Sequence, residues 1–288
     1  MKIQTNTFCI PEGKAVDLRK YATLTKREYG AKRRYRKLLK HHIEKLSALQ
    51  QVLYASGQYA LLLIFQGMDA SGKDGVIRHV MSGVNPQGCD IVSFKQPSAA
   101  ESAHDFLWRT TRELPERGRI GIFNRSYYEE VLITRVHPEL LRAQSVAPLP
   151  VDSEFWQARY RSIRALEEDL HHAGTRVVKF FLHLSKEEQR KRFLARIDEP
   201  EKNWKFSRAD VKERLIWNKY MHAYEQCLGA TSSKNAPWRV VPADDKVNAR
   251  LIVSQVVIET LRSMDLSYPV VSAARRRALT SIRRALDK

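Results

Sequence analysis

A lysine that follows a glycine-bracketed loop is the feature of this sequence best suited to chemistry. Gly67, Gly72 and Lys73 have the G-x-x-x-x-G-K spacing of a phosphate-binding P-loop. In such a loop the backbone N–H groups converge on a phosphate, the next helix adds its positive dipole end, and the lysine ammonium binds a terminal phosphate. The spacing therefore predicts a phosphate site. Its candidate residues are Gly67, Met68, Ala70, Ser71, Gly72, Asp74 and Gly75, with Lys73 as a catalytic candidate.

Two acidic residues distinguish this loop from the common P-loop. Asp74 stands where Ser or Thr usually holds Mg²⁺, and Asp69 lies inside the loop. A carboxylate so close to phosphates would repel them unless a divalent cation lay between the two charges. We therefore predict that Asp69 binds Mg²⁺, with Mn²⁺ as an alternative, directly or through water, and that Asp74 is the second candidate. The alternative is a glycine-rich strand-to-helix turn without a ligand.

A second polar cluster, Asn124, Arg125, Glu129 and Glu130, follows a predicted strand at 119–123. Ligands of open α/β sheets bind beyond the carboxyl ends of the strands, so this cluster belongs near the P-loop. An acid here would orient Mg²⁺ or its waters, and Arg125 could spread the charge of a transferring phosphoryl group. The alternative is a helix-capping turn at 124–126.

Basic residues at helical spacing predict a lid over residues 186–230. Arg192 and Arg196 lie one turn apart on a predicted helix at 186–197, so both can project from one face. A short hinge containing Lys202 and Lys205 leads to a second helix from 208 to about 231. Such a helix pair is typical of a lid that closes over phosphates and excludes water. The alternative is a helical hairpin whose basic side chains lie along its own surface.

Alternating apolar and amphipathic segments must position these groups, and they indicate an α/β fold. Strands are predicted at 61–66, 89–94, 119–123, 176–184 and 238–243, and helices at 76–84, 99–114, 154–172, 186–197, 208–231 and 249–264. Residues 14–56 form a basic N-terminal helical segment, 137–150 a proline-marked loop, and 270–288 a basic tail without an assigned role. Asp105 and Arg109 share a face of the helix at 99–114, as a surface ion pair unless that face lines the cleft.

Composition limits the class of protein. With 288 residues, 43% hydrophobic and 28% charged, the chain suits one large α/β domain over 1–288. Its formal charge of +18 would attract nucleic acid, an anionic membrane or polyphosphate. No apolar run approaches the roughly 20 residues of a membrane span, and residues 1–10 lack a signal-peptide pattern. Three distant cysteines, at 9, 89 and 227, suggest reduced thiols in the cytoplasm.

Five motifs, at 67–75, 93–98, 124–129, 204–207 and 213–220, together resemble the type-2 polyphosphate kinase family, in order and within a similarity from about Asp17 to Pro269. The resemblance implies a P-loop kinase fold like that of thymidylate and adenylate kinases, with a mostly parallel sheet flanked by helices and a helical lid. It implies a reversible, Mg²⁺-dependent transfer of the terminal phosphoryl group of inorganic polyphosphate to a nucleoside mono- or diphosphate. It also suggests a homo-oligomer.

The resemblance implies residue roles as well. The P-loop with Asp69 and Lys73 would bind the donor phosphate and the metal, and Arg125 and Glu130 would join them in catalysis. Polyphosphate contacts would include Arg192 and Arg196 as lid arginines. The further candidates are Lys202 and Lys205 for polyphosphate, and Lys95, Asp105, Arg109, Asn124 and Glu129 for the nucleotide.

Two details relate the chain to one subgroup: the first resembles that subgroup and the second departs from it. Many family members have Asp at the position of Asn124, and Asn124 together with residues 85–88 resembles the members that phosphorylate nucleoside mono- and diphosphates. That subgroup often has Asp where this chain has Glu130, which keeps the charge but moves it by about one bond length.

Two other functional classes remain as alternatives. An ATP-dependent small-molecule kinase on the same fold is disfavoured by Asp74, by the acid inside the loop and by the excess positive charge. A non-enzymatic nucleic-acid-binding protein would account for the charge of +18 but not for Asp69, because an acid in a phosphate-binding loop weakens polyanion binding without a metal. We therefore predict polyphosphate and nucleotides as partners, and neither nucleic acid nor membrane.

Overall fold

The computed structural model describes residues 3–30, 32–143 and 150–287, and a five-stranded parallel sheet forms its centre. The spatial order of the strands is β2-β3-β1-β4-β5, and every neighbouring pair is parallel. This confirms the predicted mostly parallel sheet. The strands are β1 (Ala60–Gln66), β2 (Cys89–Ser93), β3 (Ile120–Asn124), β4 (Thr175–His183) and β5 (Trp238–Pro242).

Helices connect the strands and cover both faces of the sheet, as parallel strands require. Side-chain oxygens cap several of them, for example Asp152 before α7, Ser185 before α8 and Asp245 before α11. The helices are α1 (Lys32–Ser56), α2 (Lys73–Val80), α3 (Ala99–Ser102), α4 (Trp108–Thr111), α5 (Glu129–Val136), α6 (Glu139–Ala143), α7 (Ser153–His172), α8 (Lys186–Asp198), α9 (Arg208–Leu215), α10 (Trp217–Thr231), α11 (Lys246–Arg262) and α12 (Ala273–Leu286).

Strand β1 is apolar from Ala60 to Phe65 because it lies in the middle of the sheet with a core on each side. Leu61, Leu63 and Phe65 pack into the core formed with α1, α2 and α11. Leu62 and Ile64 point to the opposite face, into the core formed with α5, α7 and α10. The two-residue alternation of a strand thus fills both cores from one continuous apolar run.

A buried ion pair crosses the second core. Lys179 on β4 is fully buried, and its ammonium donates to a carboxylate oxygen of Glu167 on α7, to the hydroxyl of Tyr128 at 3.0 Å and to the carbonyl of Thr231 at 2.7 Å. Burial lowers the pKa of Lys179, and the nearby Glu167 carboxylate opposes that shift. All three donors of the ammonium are used, so the charge is paired inside the protein.

Three predicted segments differ from the structure. The predicted helix 99–114 is two short helices, α3 and α4, because the Asp105 carboxylate accepts from the backbone N–H of Leu107 at 2.9 Å and starts a separate turn. The predicted helix 208–231 is interrupted at Ile216 between α9 and α10. The predicted loop 137–150 contains α6, and its residues 144–149 lie outside the described part of the chain.

No helix within the described residues is long and apolar enough to cross a membrane. The longest, α1, is strongly basic at its start and amphipathic along its length.

Candidate active site

The P-loop connects β1 to α2 in a conformation that depends on its glycines. Gly67 has a φ of 152°, and a Cβ placed there would lie 2.9 Å from the carbonyl oxygen of Leu182, so a side chain does not fit. Gly72 and Ala70 also have positive φ angles, 101° and 63°. Left-handed residues alternating within a loop turn successive N–H groups to one side, which is the geometry of an anion-binding nest. The predicted phosphate-binding loop therefore has the expected backbone shape.

Lys73 lies at the start of α2 and is almost completely buried. Its ammonium donates to the carbonyl oxygen of Gly67 at 2.7 Å. Burial and the neighbouring Arg125 lower the pKa of Lys73 to about 8, although Asp69, Glu129 and Asp74 act in the opposite direction. The lysine is thus held against the loop, and its charge is sensitive to the anions around it.

Arg125 follows β3 and joins the second polar cluster to the P-loop. Phe65 on β1 pairs with Asn124 on β3, so the carboxyl ends of the two strands lie side by side. Arg125 has a φ of 66°, a strained value for a residue with a side chain, and its backbone N–H donates to the carbonyl of Phe65 at 3.0 Å. Its guanidinium donates to Asp69 Oδ1 at 3.2 Å. The two predicted motifs therefore meet.

Glu129 also belongs to this charge cluster. Its Oε2 lies 3.9 Å from Nη1 of Arg125, and together with Asp69 it raises the pKa of Arg125 against the effect of burial. Burial raises the pKa of Glu129, while Arg125 and Lys73 lower it. The cluster consists of two cations and two carboxylates, Asp69, Lys73, Arg125 and Glu129, at the end of the central strands.

Asn124 contacts the unusual acid of the P-loop. Its side-chain Nδ2 donates to Asp74 Oδ1 at 2.7 Å. An amide can donate to a carboxylate, whereas an Asp at this position would place two negative charges at hydrogen-bond distance unless a proton or a cation joined them. The pair of Asn124 and Asp74 is therefore chemically matched.

Helix α8 holds the outer side of the P-loop through side chains that donate to three consecutive carbonyls. Gln189 donates to the carbonyl of Asp69 at 2.9 Å, and Arg192 Nη1 donates to those of Ala70 and Ser71 at 2.9 and 3.1 Å. With these carbonyls held from α8, the shape of the loop is fixed from outside.

The structure gives Arg192 other partners than the predicted phosphates. Besides the two P-loop carbonyls, its guanidinium donates to the carbonyls of Ala243 and Asp244 at 2.6 and 3.1 Å and to Glu188 Oε1 at 2.9 Å. All five N–H donors of the side chain are thereby used. A lid arginine would need donors for phosphate, so this geometry does not fit that predicted role. Arg192 instead links α8, the P-loop and the segment after β5.

A cavity of about 800 Å³ opens over the P-loop. Asp69, Asp74, Asn124 and Arg125 line it, together with the predicted residues Lys95, Arg196, Lys202 and Lys205. Arg196 Nη1 donates to the carbonyl of Lys205 at 3.3 Å and so connects α8 to the hinge. The eleven basic lining residues are Lys73, Arg78, Lys95, Arg125, Lys191, Arg192, Arg196, Lys202, Lys205, Lys246 and Arg250, and the four acidic ones are Asp69, Asp74, Glu188 and Glu199.

Four of these basic residues were missed by the sequence analysis: Arg78, Lys191, Lys246 and Arg250. Lys246 and Arg250 lie one turn apart at the start of α11, directly after β5. A basic i, i+4 pair at the start of a helix that follows a strand is a usable signal, because such helices begin at the carboxyl edge of the sheet. Burial lowers the pKa of Lys246, and the nearby Arg192 adds to that effect.

Three predicted residues belong to a second cavity of about 360 Å³, next to the first: Asp105, Arg109 and Glu130. Arg109 is buried rather than on the surface, and its Nη2 lies 3.4 Å from Glu130 Oε1. Its Nη1 donates to the carbonyl of Lys95 at 2.8 Å, at the border with the P-loop cavity. Arg159, which the sequence analysis missed, lies over the rings of Phe106 and Phe155, which also line this space.

The position of Glu130 does not fit the catalytic role predicted for it. Its carboxylate is 3% exposed and faces Arg109 and Arg159, with Oε2 3.6 Å from Arg159 Nη1. Glu129, predicted to bind the nucleotide, is the glutamate that interacts with Arg125 and Lys73. Consecutive helical residues point about 100° apart, so the two glutamates at the start of α5 serve different cavities.

The acids of the P-loop suit a hard divalent cation. Proteins bind Mg²⁺ with one or two carboxylates and let substrate phosphates and water complete the shell. Asp69 and Asp74 both line the cavity and supply such oxygens. In the described part of the chain no group of three or more His, Cys, Asp or Glu side chains forms a metal site.

Comparison with known proteins agrees with this geometry. A sequence model of the polyphosphate kinase 2 family matches residues 29–269. The chain is 63% identical over its whole length to an ADP-polyphosphate phosphotransferase of Rhodopseudomonas palustris, itself covered completely. It is 45% identical to an AMP/ADP-polyphosphate phosphotransferase of Meiothermus ruber, over 78% of this chain and 80% of that one.

A solved structure is similar along almost the whole chain. The crystal structure of polyphosphate kinase 2 from Arthrobacter aurescens superposes with a TM-score of 0.85 at 38% identity, covering 96% of this chain and 95% of that one. The residues matched by the family model, 29–269, include the P-loop, the second polar cluster and the helical segment after β4. The chain therefore belongs to the polyphosphate kinase 2 family.

Proposed function

We propose that this protein transfers the terminal phosphoryl group of inorganic polyphosphate to a nucleoside mono- or diphosphate, in a reversible reaction that requires Mg²⁺. The observation that carries the proposal is the P-loop cavity, in which eleven basic residues and four acidic ones surround the phosphate-binding loop. The relatives named as ADP-polyphosphate and AMP/ADP-polyphosphate phosphotransferases support it.

The charge and the lining of this cavity suit a polymer of phosphates. Polyphosphate carries close to one negative charge per phosphate and has no bases to stack. Single-stranded nucleic acid is bound by basic residues interleaved with aromatic rings. Among the described residues that line the cavity, Phe94 is the one aromatic. The basic residues come from α2, the ends of β2 and β3, α8, the hinge after α8 and α11, so a chain of phosphates would meet positive charge along its path.

The second cavity supports a neighbouring acceptor site. Asp105 and Arg109 line it, and Lys95 lies on its border with the P-loop cavity. Phe106 and Phe155 add apolar surface, and the arginines add charge. A nucleotide has a base that needs such surface and phosphates that need cations, so we assign the nucleoside to this side and its phosphates to the space towards Asn124 and Arg125.

Transfer needs positioning and neutralisation of charge, without a covalent enzyme intermediate. A phosphate oxygen of the acceptor attacks the terminal phosphorus of polyphosphate, and the bond from that phosphorus to the bridging oxygen breaks. The bridging oxygen keeps the electron pair and becomes the new chain end, so the polymer is one phosphate shorter. The P-loop N–H groups and Lys73 bind the transferring group, and Arg125 stabilises the charge that it develops.

The metal contribution follows from the P-loop acids. Asp69 and Asp74 would hold Mg²⁺, which when bound neutralises charge on the phosphates beside these carboxylates. Arg125 already neutralises part of the charge of Asp69 and fixes its orientation through their hydrogen bond. Asn124 fixes the orientation of Asp74 through a hydrogen bond without adding charge.

The reaction itself is the test. The protein is mixed with Mg²⁺, long-chain polyphosphate and either AMP or ADP, and the nucleotides are separated by anion-exchange chromatography. We expect ADP from AMP, or ATP from ADP, only when both polyphosphate and Mg²⁺ are present. Formation of ADP from ATP with some other acceptor, and none from polyphosphate, would instead establish an ATP-dependent kinase.

Variants connect the activity to the cavity. Asp69→Asn and Lys73→Ala should each abolish transfer while the far-UV circular dichroism and the melting temperature stay close to those of the wild type. Asp90→Asn is the matched control, because Asp90 lies on β2 and pairs with Arg119 at the partly exposed sheet edge. Near-normal turnover of Asp69→Asn would reject the metal-binding role.

Assembly and location complete the proposal. We propose a homo-oligomer, as the family resemblance suggests, which sedimentation analysis would test. The three cysteines, Cys9, Cys89 and Cys227, are unpaired in the structure, which supports a cytoplasmic protein.

A further inference from the structure

The C-terminal helix α12 stands apart from the rest of the molecule. Each of its residues from Ala273 to Leu286 is exposed, and so are residues 268–272, which lead into it. The interactions described for it are local: Ser272 caps the N–H of Arg275, Thr280 donates to the carbonyl of Arg276, and Arg283 lies 3.8 Å from Asp287. The helix also lies beyond residues 29–269, which match the family.

The helix has one apolar and one basic face. At 100° per residue, the large apolar side chains Leu279, Ile282 and Leu286 fall within a narrow arc, with three alanines beside them. Their exposed fractions are 44%, 48% and 81%. Four arginines, Arg276, Arg277, Arg283 and Arg284, lie outside this arc with Thr280 between them, whereas Arg275 falls within the arc in the first turn of the helix.

A helix of this kind needs something to cover its apolar face. Isolated helices of fewer than about 12–15 residues are marginal in water, and most helices in proteins owe their stability to packing of that face. The preceding segment also exposes apolar side chains, those of Tyr268, Val270 and Val271. The surface that covers α12 must therefore offer apolar contact and negative charge together.

We propose that α12 binds the surface of an anionic phospholipid membrane, lying along it with Leu279, Ile282 and Leu286 among the acyl chains and the arginines at the headgroups. A basic amphipathic helix of this type lies in the plane of the interface without crossing the bilayer. This proposal departs from our prediction that the protein has no membrane partner.

Charge favours the lipid surface over the other possible occupants. A second copy of this chain carries +18 as well, so its surface would repel the arginine face. Polyphosphate would pair with the arginines but would leave the apolar face in water. Anionic lipid is the partner that matches both faces.

Vesicle sedimentation of the full-length protein tests this proposal independently of the enzymatic function. The vesicles contain phosphatidylcholine alone, or phosphatidylcholine and phosphatidylglycerol in equal parts. Leu279→Gln/Ile282→Gln replaces two of the three large side chains of the apolar face and keeps the charge. Thr280→Gln/Ser281→Gln is the matched control, with the same two introduced residues on the polar side.

We expect the wild type and the control to bind the anionic vesicles. The apolar-face variant should bind at least about tenfold more weakly, because two large apolar side chains no longer leave water on binding. Arg283→Gln/Arg284→Gln should also weaken binding, and neutral vesicles should bind little of any form. Phosphoryl transfer should be unchanged in all variants, since α12 does not line the catalytic cavities.

Three outcomes would overturn the proposal. Equal binding by the apolar-face variant and its control would mean that vesicles adsorb to the positive body of the protein. A smaller sedimenting species for the apolar-face variant, with vesicle binding unchanged, would mean that a second copy covers α12. A loss of polyphosphate affinity in that variant but not in the control would mean that the helix binds the polymer.

Discussion

Replacing Arg192 by Lys distinguishes an arginine that holds the P-loop from an arginine that binds phosphate. The substitution keeps the positive charge and the length of the side chain nearly constant. It reduces five N–H donors on three nitrogens to three donors on one nitrogen. A phosphate ligand would retain much of its function, whereas the contacts of Arg192 with four carbonyls depend on the planar fork of the guanidinium.

The loss of stability can be worked out from these contacts. The carbonyls of Ala70 and Ser71 belong to the P-loop, and those of Ala243 and Asp244 to the segment after β5. One ammonium cannot serve both segments as the two terminal nitrogens do, so we expect at least two carbonyls to lose their donor. An unsatisfied buried acceptor costs about 1–3 kcal/mol, so two of them give a loss of about 2–6 kcal/mol in the free energy of unfolding.

Urea denaturation followed by circular dichroism measures this loss, and steady-state kinetics measures the accompanying fall in turnover. Arg196→Lys is the matched control, because Arg196 lies one turn away and makes one described hydrogen bond, to the carbonyl of Lys205. It should change the free energy of unfolding by less than about 0.5 kcal/mol. Unchanged stability of Arg192→Lys with reduced turnover would refute our reasoning and return Arg192 to phosphate binding.

Three further predictions concern buried and titrating groups. Lys179→Met should lower the free energy of unfolding by about 3–5 kcal/mol, because the Glu167 carboxylate stays buried without the ammonium that pairs with it. Adding Glu167→Gln should recover part of this loss in the same denaturation experiment, and no recovery would contradict the pairing. The pKa of Lys73 near 8 means that its ammonium loses its proton above that pH. The Kd for polyphosphate should therefore rise by up to tenfold per pH unit between about pH 8 and 10, and a Kd that does not change with pH would contradict this. Burial lowers the pKa of His137, but hydrogen bonds with Glu213 on α9 and with Glu139 outweigh burial and raise the pKa. The interaction of protonated His137 with Glu213 is therefore strongest below the unfolded pKa of 6.5. It is lost as the pH rises through the raised pKa. Hydrogen exchange in α9, corrected for intrinsic rates, should therefore be faster at about pH 8 than at about pH 6, and this difference should disappear in His137→Gln; a difference that persists would rule His137 out.

The local features of the active site could be predicted from the sequence because they depend on short-range rules. The apolar run of β1 and the glycine spacing define the strand and the loop, and the rule that ligands bind at the carboxyl edge of the sheet brings Arg125 to Asp69. The catalytic and binding roles of these residues remain predictions that the proposed assays would test.

The missed features depend on distances between segments that are far apart in the sequence. Spacing places Arg192 and Arg196 on one face of α8 but does not reveal that the P-loop carbonyls lie opposite Arg192. The spacing could not show which of Glu129 and Glu130 faces Arg125 and Lys73, because the rotation of a helix about its axis depends on where its first turn begins. The break in 99–114 depends on a single hydrogen bond at Asp105, which competes with helix geometry.

The two glutamates at the start of α5 connect the second cavity to the charge cluster at the P-loop through adjacent residues. Glu130 faces the second cavity and Glu129 the charge cluster around Lys73, and both belong to one rigid helical turn. A ligand that shifts Glu130 must also shift Glu129 and so alter the electrostatic field at the P-loop. Thermodynamic linkage then requires that each ligand change the affinity for the other by the same factor. Cooperativity between donor and acceptor would thus arise from a single peptide unit, without any movement of the lid.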